Sequence, residues 1–466
     1  MLSTPFSSPA RNRGSAFWPP MLVIAAAQLI VIMNNAIVNI ALPQLTEDLS
    51  ISAGQQSWVV TSYLLVFGSV LLVGGKVGDA FGHRRAFIAG LIGTAVFAAL
   101  AGSATAPAWY FLARAGQGLS AAVLAPAAVA LLSTTFAEGH ERAKAFGIYG
   151  AVTGAGAAVG VLAGGILTDL LSWRWTMFAS VPLALIAAGA APLVLSAADA
   201  LDRTRWHLQD VAMVVVGVAA FLLALTEMEH GRGLQAIALT ALAAVSLAGF
   251  ARRQVRSRTP LLPPELVTDR DRLSGLIVVG AGGLGPTGVF VVLSLYLQET
   301  LHMSPMQAAL ATLPYPIGMM VSSQFSERLI SRFGAVKTVV WALGLSGLGL
   351  LPLVLAGPGA SYPALVLPVL VVISLTMGPA FVAGSRLAMT GVAESHSGAM
   401  GAAMNSSAEL GGAVGVTLLS ALSLLLGTGG TAGYGAAMAS AGAVLIAAAF
   451  AVALVSGAFR RAHARA

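Results

Sequence analysis

Two ionisable side chains lie inside long apolar stretches of this sequence, and they are the first candidates for chemistry. Arg114 stands in "WYFLARAGQG" and Glu409 in "NSSAELGGAVG". Gln117 follows Arg114 by three residues and Asn405 precedes Glu409 by four, so each amide shares a helical face with its charged neighbour. Ionisable groups within membrane spans often belong to proton relays. Glu409 is therefore a candidate for proton exchange, and Arg114 is a candidate cation facing a cavity.

Both charged residues also have a purely structural interpretation. An arginine at the centre of a span costs about 2.5–3.5 kcal/mol on insertion scales. Arg114 lies about six residues, or roughly 9 Å, from the outer end of its stretch, and its guanidinium could reach the interface from there. Glu409 could stay neutral and form a hydrogen bond between helices. Spacing alone leaves these alternatives open.

Three asparagines interrupt the first apolar stretch, "VIMNNAIVNIALPQL" (Val31–Leu45). Asn35 and Asn39 form one helical stripe with Gln28, and Asn34 is the next residue around the helix. A polar stripe in a span is expected to face the bundle interior or a water-filled cavity. The alternative is a set of interhelical hydrogen bonds worth about 0.6 kcal/mol each. An amide can bind a substrate, but it cannot carry a proton.

The composition places these residues in a membrane protein. Of 466 residues, 57% are hydrophobic and 9% are charged, and the mean hydropathy is +0.85. Soluble domains carry about 25% charged residues, so a chain this apolar could not cover a water-facing surface. Cysteine is absent, and neither a zinc-protease motif nor a phosphate-binding loop is present. We therefore expect no enzyme activity, no cofactor and no metal site.

The chain divides into fourteen apolar runs, and each is close to the roughly 20 residues that cross a bilayer. We predict an all-α polytopic protein with a six-helix half at 18–195, two linker helices at 196–250, a loop at 251–272 and a second six-helix half at 273–457. Tails at 1–17 and 458–466 complete the chain. The predicted spans begin near Trp18, Trp58, Ala86, Ala108, Ala145, Trp175, Leu208, Leu234, Leu273, Pro305, Val336, Ser361, Gly398 and Tyr434.

The distribution of basic residues predicts the orientation. With both termini in the cytoplasm, all of the 25 Lys and Arg residues except Arg114, Arg174 and Arg232 fall on the cytoplasmic side or at its membrane edge. Cytoplasmic loops carry such an excess of positive charge. The net charge of +7 is therefore explained by topology, and we expect no binding to nucleic acid.

The loop after the second predicted span is similar in sequence to the loop after the tenth. "GKVGDAFGHRR" (Gly75–Arg85) and "ERLISRFGAVK" (Glu327–Lys337) share Phe-Gly at their seventh and eighth positions and a basic residue at the second and last. Matching loops in two six-span halves are typical of duplicated transporters. In the first loop we expect Asp79 to accept backbone N–H bonds at the start of the next helix. The candidate gating residues are Gly75, Gly78, Asp79, Gly82, Arg84 and Arg85.

These motifs resemble the major facilitator superfamily, and within it the fourteen-span drug:proton antiporter family. The first loop matches the pattern G-x-x-x-D-x-x-G-x-R-R/K of that superfamily, and "RAGQG" resembles its span-four signature. "GAAVGVLAGG" (Gly156–Gly165) resembles the span-five antiporter signature, while "SWRWTMFASVP" (Ser172–Pro182) and "NSSAELGGAVG" resemble further segments of the family. The resemblance covers nearly the whole chain.

The sequence departs from the family at three places. The span-five proline is replaced by Val161, the first-span aspartate by Asn34, and the span-eleven "RQLGG" pattern has Ala408 and Glu409 at its first and second positions. Small residues four apart in span five allow helices to approach closely in lipid. They predict either a contact between the two halves or ordinary tight packing. The residues concerned are Gly156, Gly160, Gly164 and Gly165.

The resemblance implies a secondary transporter of the bacterial inner membrane, with both termini cytoplasmic, that exports amphipathic drugs or a natural product by proton antiport. Its partners would be the substrate, protons and the lipid bilayer, and we expect a monomer. One alternative is an uncoupled facilitator or importer of the same fold, and another is a membrane sensor or scaffold. The predicted substrate and proton cavity comprises Asn34, Asn35, Asn39, Arg114, Gln117, Asn405 and Glu409.

Overall fold

The computed structural model describes residues 17–137, 139–196, 208–229, 232–257, 260, 264–392, 397–427 and 433–456. Residues 1–16 of the predicted N-terminal tail, the whole predicted C-terminal tail at 458–466 and residues 197–207 of the linker region lie outside these described residues. Eighteen α-helices lie in this part of the chain, with 3₁₀ turns at Ala53–Gln55 and Leu351–Leu355 and π-helical turns at Tyr296–Thr300 and Tyr362–Val366.

The helices are numbered in chain order. They are α1 (Trp18–Asp48), α2 (Trp58–Phe81), α3 (His83–Gly102), α4 (Pro107–Thr135), α5 (His140–Leu170), α6 (Trp173–Phe178), α7 (Ser180–Val194), α8 (Leu208–Glu229), α9 (Gly233–Arg256), α10 (Pro264–Thr268), α11 (Arg270–Leu295), α12 (Pro305–Thr312), α13 (Pro314–Ser323), α14 (Ser326–Phe333), α15 (Ala335–Leu350), α16 (Leu367–Met389), α17 (Ser397–Leu425) and α18 (Tyr434–Val455).

The all-α membrane architecture is confirmed, but the predicted count of fourteen spans is not. Within the described ranges, eleven helical segments are long and apolar enough to cross a bilayer, and α2 with the turn before it forms a twelfth that bends by 58° near residue 72. Two predicted spans fall short of the criterion. The apolar part of α8 is only Ala212–Leu225, and the run beginning at Pro305 is divided into α12 and α13 at Pro314.

Helices α1–α7 and α11–α18 form two halves, with the α8–α9 pair beside them. Helix α8 contacts α2 of the first half and α17 of the second, whereas α9 presents large apolar side chains such as Leu234 and Val245 on its exposed surface. Buried Asp210 on α8 pairs with Arg253 on α9. Helix α9 continues to Arg256, six residues past the boundary predicted at 250.

The two matching loops adopt the same backbone turn. Gly82 has φ 95° and Gly334 has φ 82°, each directly between two helices. The N–H of each donates to the carbonyl four residues earlier, at 2.8 Å in both loops. Positive φ is readily adopted by glycine and rarely by other residues. The shared Phe-Gly pair therefore marks one turn used twice, as expected for a duplicated half.

Close packing of α2 on α4 positions the centre of the first half. A Cβ on Gly74 would lie 1.7 Å from the backbone oxygen of Ala122, and one on Gly118 would lie 2.5 Å from that of Tyr63. Both distances are far shorter than atoms tolerate, so only glycine fits. Backbone contact between these helices places the side chain of Tyr63 beside Arg114.

The two halves meet at the end of the bundle opposite the Gly75–Arg85 loop. We call these contacts the outer seam, defined by Ser294 with Asn39, Gln298 with Ile40, Thr61 with Thr417, and Gly165 with Ala309. At the loop end, by contrast, a Cβ on Gly147 or Gly150 of α5 would meet no atom within 4 Å. The outer seam therefore holds the two halves together at the end opposite the loop, whereas these two positions of α5 have no neighbouring helix.

Candidate functional site

A buried polar cluster lies in the first half where α1, α2 and α4 meet. Arg114 is fully buried, and its Nη1 donates to Gln117 Oε1 at 2.9 Å and to the backbone oxygen of Asn34 at 3.4 Å. Its guanidinium carbon lies 4.5 Å from the centroid of the Tyr63 ring. The predicted pairing of Arg114 and Gln117 on one helical face is therefore observed, and Arg114 does not reach the interface.

The cluster has unused hydrogen-bonding capacity. No partner is found for Arg114 Nε and Nη2, Gln117 Nε2, Asn34 Oδ1 or the Tyr63 hydroxyl. Buried polar groups are nearly always paired, and an unpaired buried cation is especially costly. Within the described residues Arg114 forms no ion pair. The cluster therefore retains donors that a further polar or anionic group could use.

Glu409 lies on α17 of the second half, at its contact with α2. Its Cβ is 3.1 Å from the position that a Cβ on Gly68 would occupy, and its carboxyl group is close enough to Tyr63 to interact electrostatically. Glu409 therefore faces α2 of the first half. Asn405, one turn nearer the loop end, is exposed, so the two are not held together as a pair.

The asparagine stripe of α1 is divided between different environments. Gln28 forms interhelical hydrogen bonds, accepting from the Tyr149 hydroxyl at 2.6 Å and donating to Thr153 Oγ1 at 2.9 Å. Asn39 is buried at the outer seam, and its Oδ1 has no partner. Asn35 is half-buried. The interpretation as interhelical hydrogen bonding thus applies to Gln28. Of the three asparagines of α1, only Asn34 belongs to the Arg114 cluster.

Two polar residues of the outer seam were missed by the sequence reading. Ser294 Oγ donates to the backbone oxygen of Asn39 at 2.6 Å. Gln298 Nε2 donates to the backbone oxygen of Ile40 at 3.0 Å and to Ser294 Oγ at 2.9 Å. Gln298 lies in the π-helical turn that ends the ninth predicted span. The pair links the two halves at the closed end.

The prediction that Asp79 caps the next helix is wrong. Gly82 occupies the N-cap position of α3, and no side chain caps that helix. Asp79 lies in the last turn of α2, 3.9 Å from Lys76 Nζ and 3.6 Å from His83 Nε2. The positive-φ turn at Gly82 separates the carboxylate from the first N–H groups of α3.

The other loop residues also make contacts within the first half. Arg84 Nη1 donates to the backbone oxygen of Leu195 at 3.1 Å, which ties the loop to the end of α7. Arg85 is exposed. Gly78 lies against the His83 ring, and Gly75 lies near Pro126.

The glycines of α5 serve mainly to pack α5 on α1. Gly156 faces Ile32, Gly160 faces Ala36, and Gly164 faces the backbone of Ile37. These three contacts lie within the first half. They therefore agree with ordinary tight packing and not with a contact between the two halves. Gly165 is different, because a Cβ there would lie 2.5 Å from the Cβ of Ala309 on α12 of the second half.

The "SWRW" motif clamps the outer ends of the first half. Trp173 Nε1 donates to Asp48 Oδ2 at 2.9 Å, and Arg174 Nη2 donates to the same oxygen at 2.8 Å. Arg174 also donates to the backbone oxygens of Gly102 and Ala104. The motif therefore has a structural role here, and Trp173 packs against the ring of Tyr110 on α4.

Comparison with known proteins agrees with this architecture. Residues 24–416 match the Major Facilitator Superfamily. The chain is 41% identical over 421 residues to the puromycin resistance protein pur8 of Streptomyces alboniger, which covers 90% of this chain and 83% of that protein. It is 33% identical over 440 residues to the cephamycin export protein CmcT of Amycolatopsis lactamdurans, with 90% and 87% covered.

The fold has a solved counterpart. PepTSo, a transporter of the POT family, superimposes with a TM-score of 0.70 at 15% identity, over 95% of this chain and 99% of that one. The membrane-length helices of the described ranges and the match to this superfamily define a multi-pass membrane transporter. The chain belongs to the Major Facilitator Superfamily, as its motifs predicted. Within the described residues no cluster of His, Asp or Glu could hold a metal ion.

Proposed function

We propose that this transporter exports an amphipathic natural product, of the kind named for its relatives, in exchange for protons. Two of those relatives are named for puromycin resistance and for cephamycin export. The observation that carries the proposal is the position of Glu409 at the contact of α17 with α2, where the two halves meet. An acid on the surface where two halves move can be exposed to each side of the membrane in turn.

The exchange follows from competition between proton and substrate. In a conformation whose cavity opens toward the loop end, the proposed cytoplasmic side, Glu409 would lose its proton and the cavity would gain a negative charge. A cationic group of the substrate would then be favoured near the carboxylate, since two unit charges 4 Å apart attract by about 4 kcal/mol at an effective dielectric of 20. After the halves rock, protonation on the other side removes that attraction and releases the substrate.

Different residues of the first half would serve binding and gating. Asn34, Arg114 and Gln117 would bind polar groups of the substrate, because each has a buried polar atom without a hydrogen-bond partner. Asn35, Asn39 and Asn405 remain proposed cavity residues on α1 and α17. The loop residues Gly75, Gly78, Asp79, Gly82, Arg84 and Arg85 would gate the proposed cytoplasmic end, within the bacterial inner membrane.

Reconstitution into vesicles tests this function. Purified protein in proteoliposomes should accumulate puromycin against its gradient when a pH gradient is imposed, and Glu409→Gln should abolish that accumulation while still exchanging labelled for unlabelled puromycin. Flux that is independent of the pH gradient in the wild-type protein would favour the facilitator or importer. A protein that moves no amphipathic compound would favour the sensor or scaffold.

A further inference from the structure

A proline interrupts the backbone hydrogen bonding of α1 at the outer seam. Pro43 lies inside α1, and the helix continues past it to Asp48. Because proline has no N–H group, it cannot donate to the carbonyl of the residue four positions earlier, and its ring also clashes with that carbonyl. In α1 this is the carbonyl of Asn39. Within a membrane, a carbonyl that loses its helical partner needs another donor.

The second half supplies that donor. Ser294 Oγ donates to the backbone oxygen of Asn39 at 2.6 Å, and Ser294 is almost completely buried. Gln298 Nε2 donates to Ser294 Oγ at 2.9 Å and to the backbone oxygen of Ile40 at 3.0 Å. Gln298 and Ser294 thus form a chain of hydrogen bonds that ends on the carbonyl freed by Pro43, and the members of such a chain strengthen one another.

The part of α1 that follows Pro43 is fixed to the first half. Gln44 Oε1 accepts the backbone N–H of Trp173 at 2.7 Å, and Asp48 Oδ2 accepts the indole N–H of the same residue at 2.9 Å. These bonds hold the outer end of α1 on its own half. When the two halves separate, the bond that breaks is therefore the one donated by Ser294.

A second proline shows the same principle within one half. Pro126 lies inside α4, so the carbonyl of Ala122 also lacks its helical donor. That oxygen lies against Gly74 of α2, only 1.7 Å from the position that a Cβ would occupy there. The carbonyl freed in α4 thus faces a helix of its own half, whereas the carbonyl freed by Pro43 accepts from the other half.

We propose that Pro43 is a positioning residue for the outer seam, because it frees the Asn39 carbonyl to accept the bond with which Ser294 closes that end. A residue with an N–H at position 43 would satisfy the carbonyl within α1 and would compete with Ser294. The closed outer end would then lose part of its advantage over the open one. This role is independent of the molecule carried and of proton exchange at Glu409.

A double-mutant cycle tests the proposal with Pro43→Ala, Ser294→Ala and the combined variant. Cysteines introduced at exposed Ser52 and Gly359 carry spin labels at the outer ends of the two halves. Double electron–electron resonance in nanodiscs then gives the ratio of outer-open to outer-closed molecules. Pro192→Ala is the matched control, because it removes a proline inside α7 of the first half whose side chain is exposed.

We expect Pro43→Ala and Ser294→Ala each to raise the ratio of outer-open to outer-closed molecules about threefold, which corresponds to one average hydrogen bond between helices in a membrane. The combined variant should also show about a threefold rise, since both changes remove the same bond, and Pro192→Ala should leave the ratio unchanged. A rise of about ninefold in the combined variant would show that Pro43 acts only through the shape of α1 and would overturn the proposal. An unchanged ratio in Pro43→Ala would overturn it as well.

Discussion

The hydrogen bonds of the outer seam should determine the fraction of molecules in which the end of the bundle at the outer seam is open. Ser294 and Gln298 each donate one bond across to the backbone of α1. Such bonds within membranes contribute about 0.6 kcal/mol each on average, so the pair contributes about 1.2 kcal/mol. Removing both in Ser294→Ala/Gln298→Met should therefore shift the equilibrium toward the outer-open conformation by about sevenfold.

The absence of cysteine makes this shift measurable with two introduced labels. Spin labels at exposed Ser52 and Gly359, at the outer ends of the two halves, report the separation by double electron–electron resonance. We expect a larger long-distance population in the double variant. Ser346→Ala is the control, because the Ser346–Thr376 hydrogen bond lies within the second half. A distance distribution in the double variant that matches wild type would refute the role given to the outer seam.

Three further predictions concern packing, binding and topology. Gly74→Ala should lower the free energy of unfolding by about 1–3 kcal/mol, because its Cβ would overlap the Ala122 backbone. The control, Gly75→Ala, should change the melting temperature little. Equal melting temperatures for the two variants would contradict the packing argument. Arg114→Met should reduce puromycin transport about tenfold to a hundredfold, which corresponds to the loss of one or two charged hydrogen bonds. Arg114→Lys should be less impaired. Full transport activity in Arg114→Met would exclude a binding role for Arg114. A reporter fused after Arg253 should read as cytoplasmic, and a periplasmic reading would invert the topology.

The lengths of the apolar runs predicted most of the fold, because a chain in lipid must form the hydrogen bonds of its backbone within helices. A helix, or a broken pair of helices, begins at or near every predicted start. The predicted number of spans was not confirmed, because an apolar run is not always one continuous helix. The run at Pro305 is apolar throughout, yet it breaks at Pro314 because proline cannot continue the hydrogen-bonding pattern of the preceding turn. The run at Leu208 is helical but begins with polar residues.

The candidate site was predictable only where its members share one helix. The three-residue spacing of Arg114 and Gln117 indicated their contact, which the structure shows at 2.9 Å. Tyr63 and Gln298 were missed because their partners lie on other helices, and the periodicity of one helix says nothing about its neighbour. The Asp79 cap failed for a local reason, since the positive φ of Gly82 ends α2 one turn later than the cap required.

Proton release on substrate binding tests the central claim most directly. Purified protein in weakly buffered detergent solution, with a pH-sensitive dye, is titrated with puromycin near neutral pH. If substrate and proton compete at Glu409, wild-type protein should release protons as puromycin binds, and Glu409→Gln should bind puromycin without releasing any. Equal proton release from both proteins, or none from wild type despite binding, would contradict exchange at Glu409.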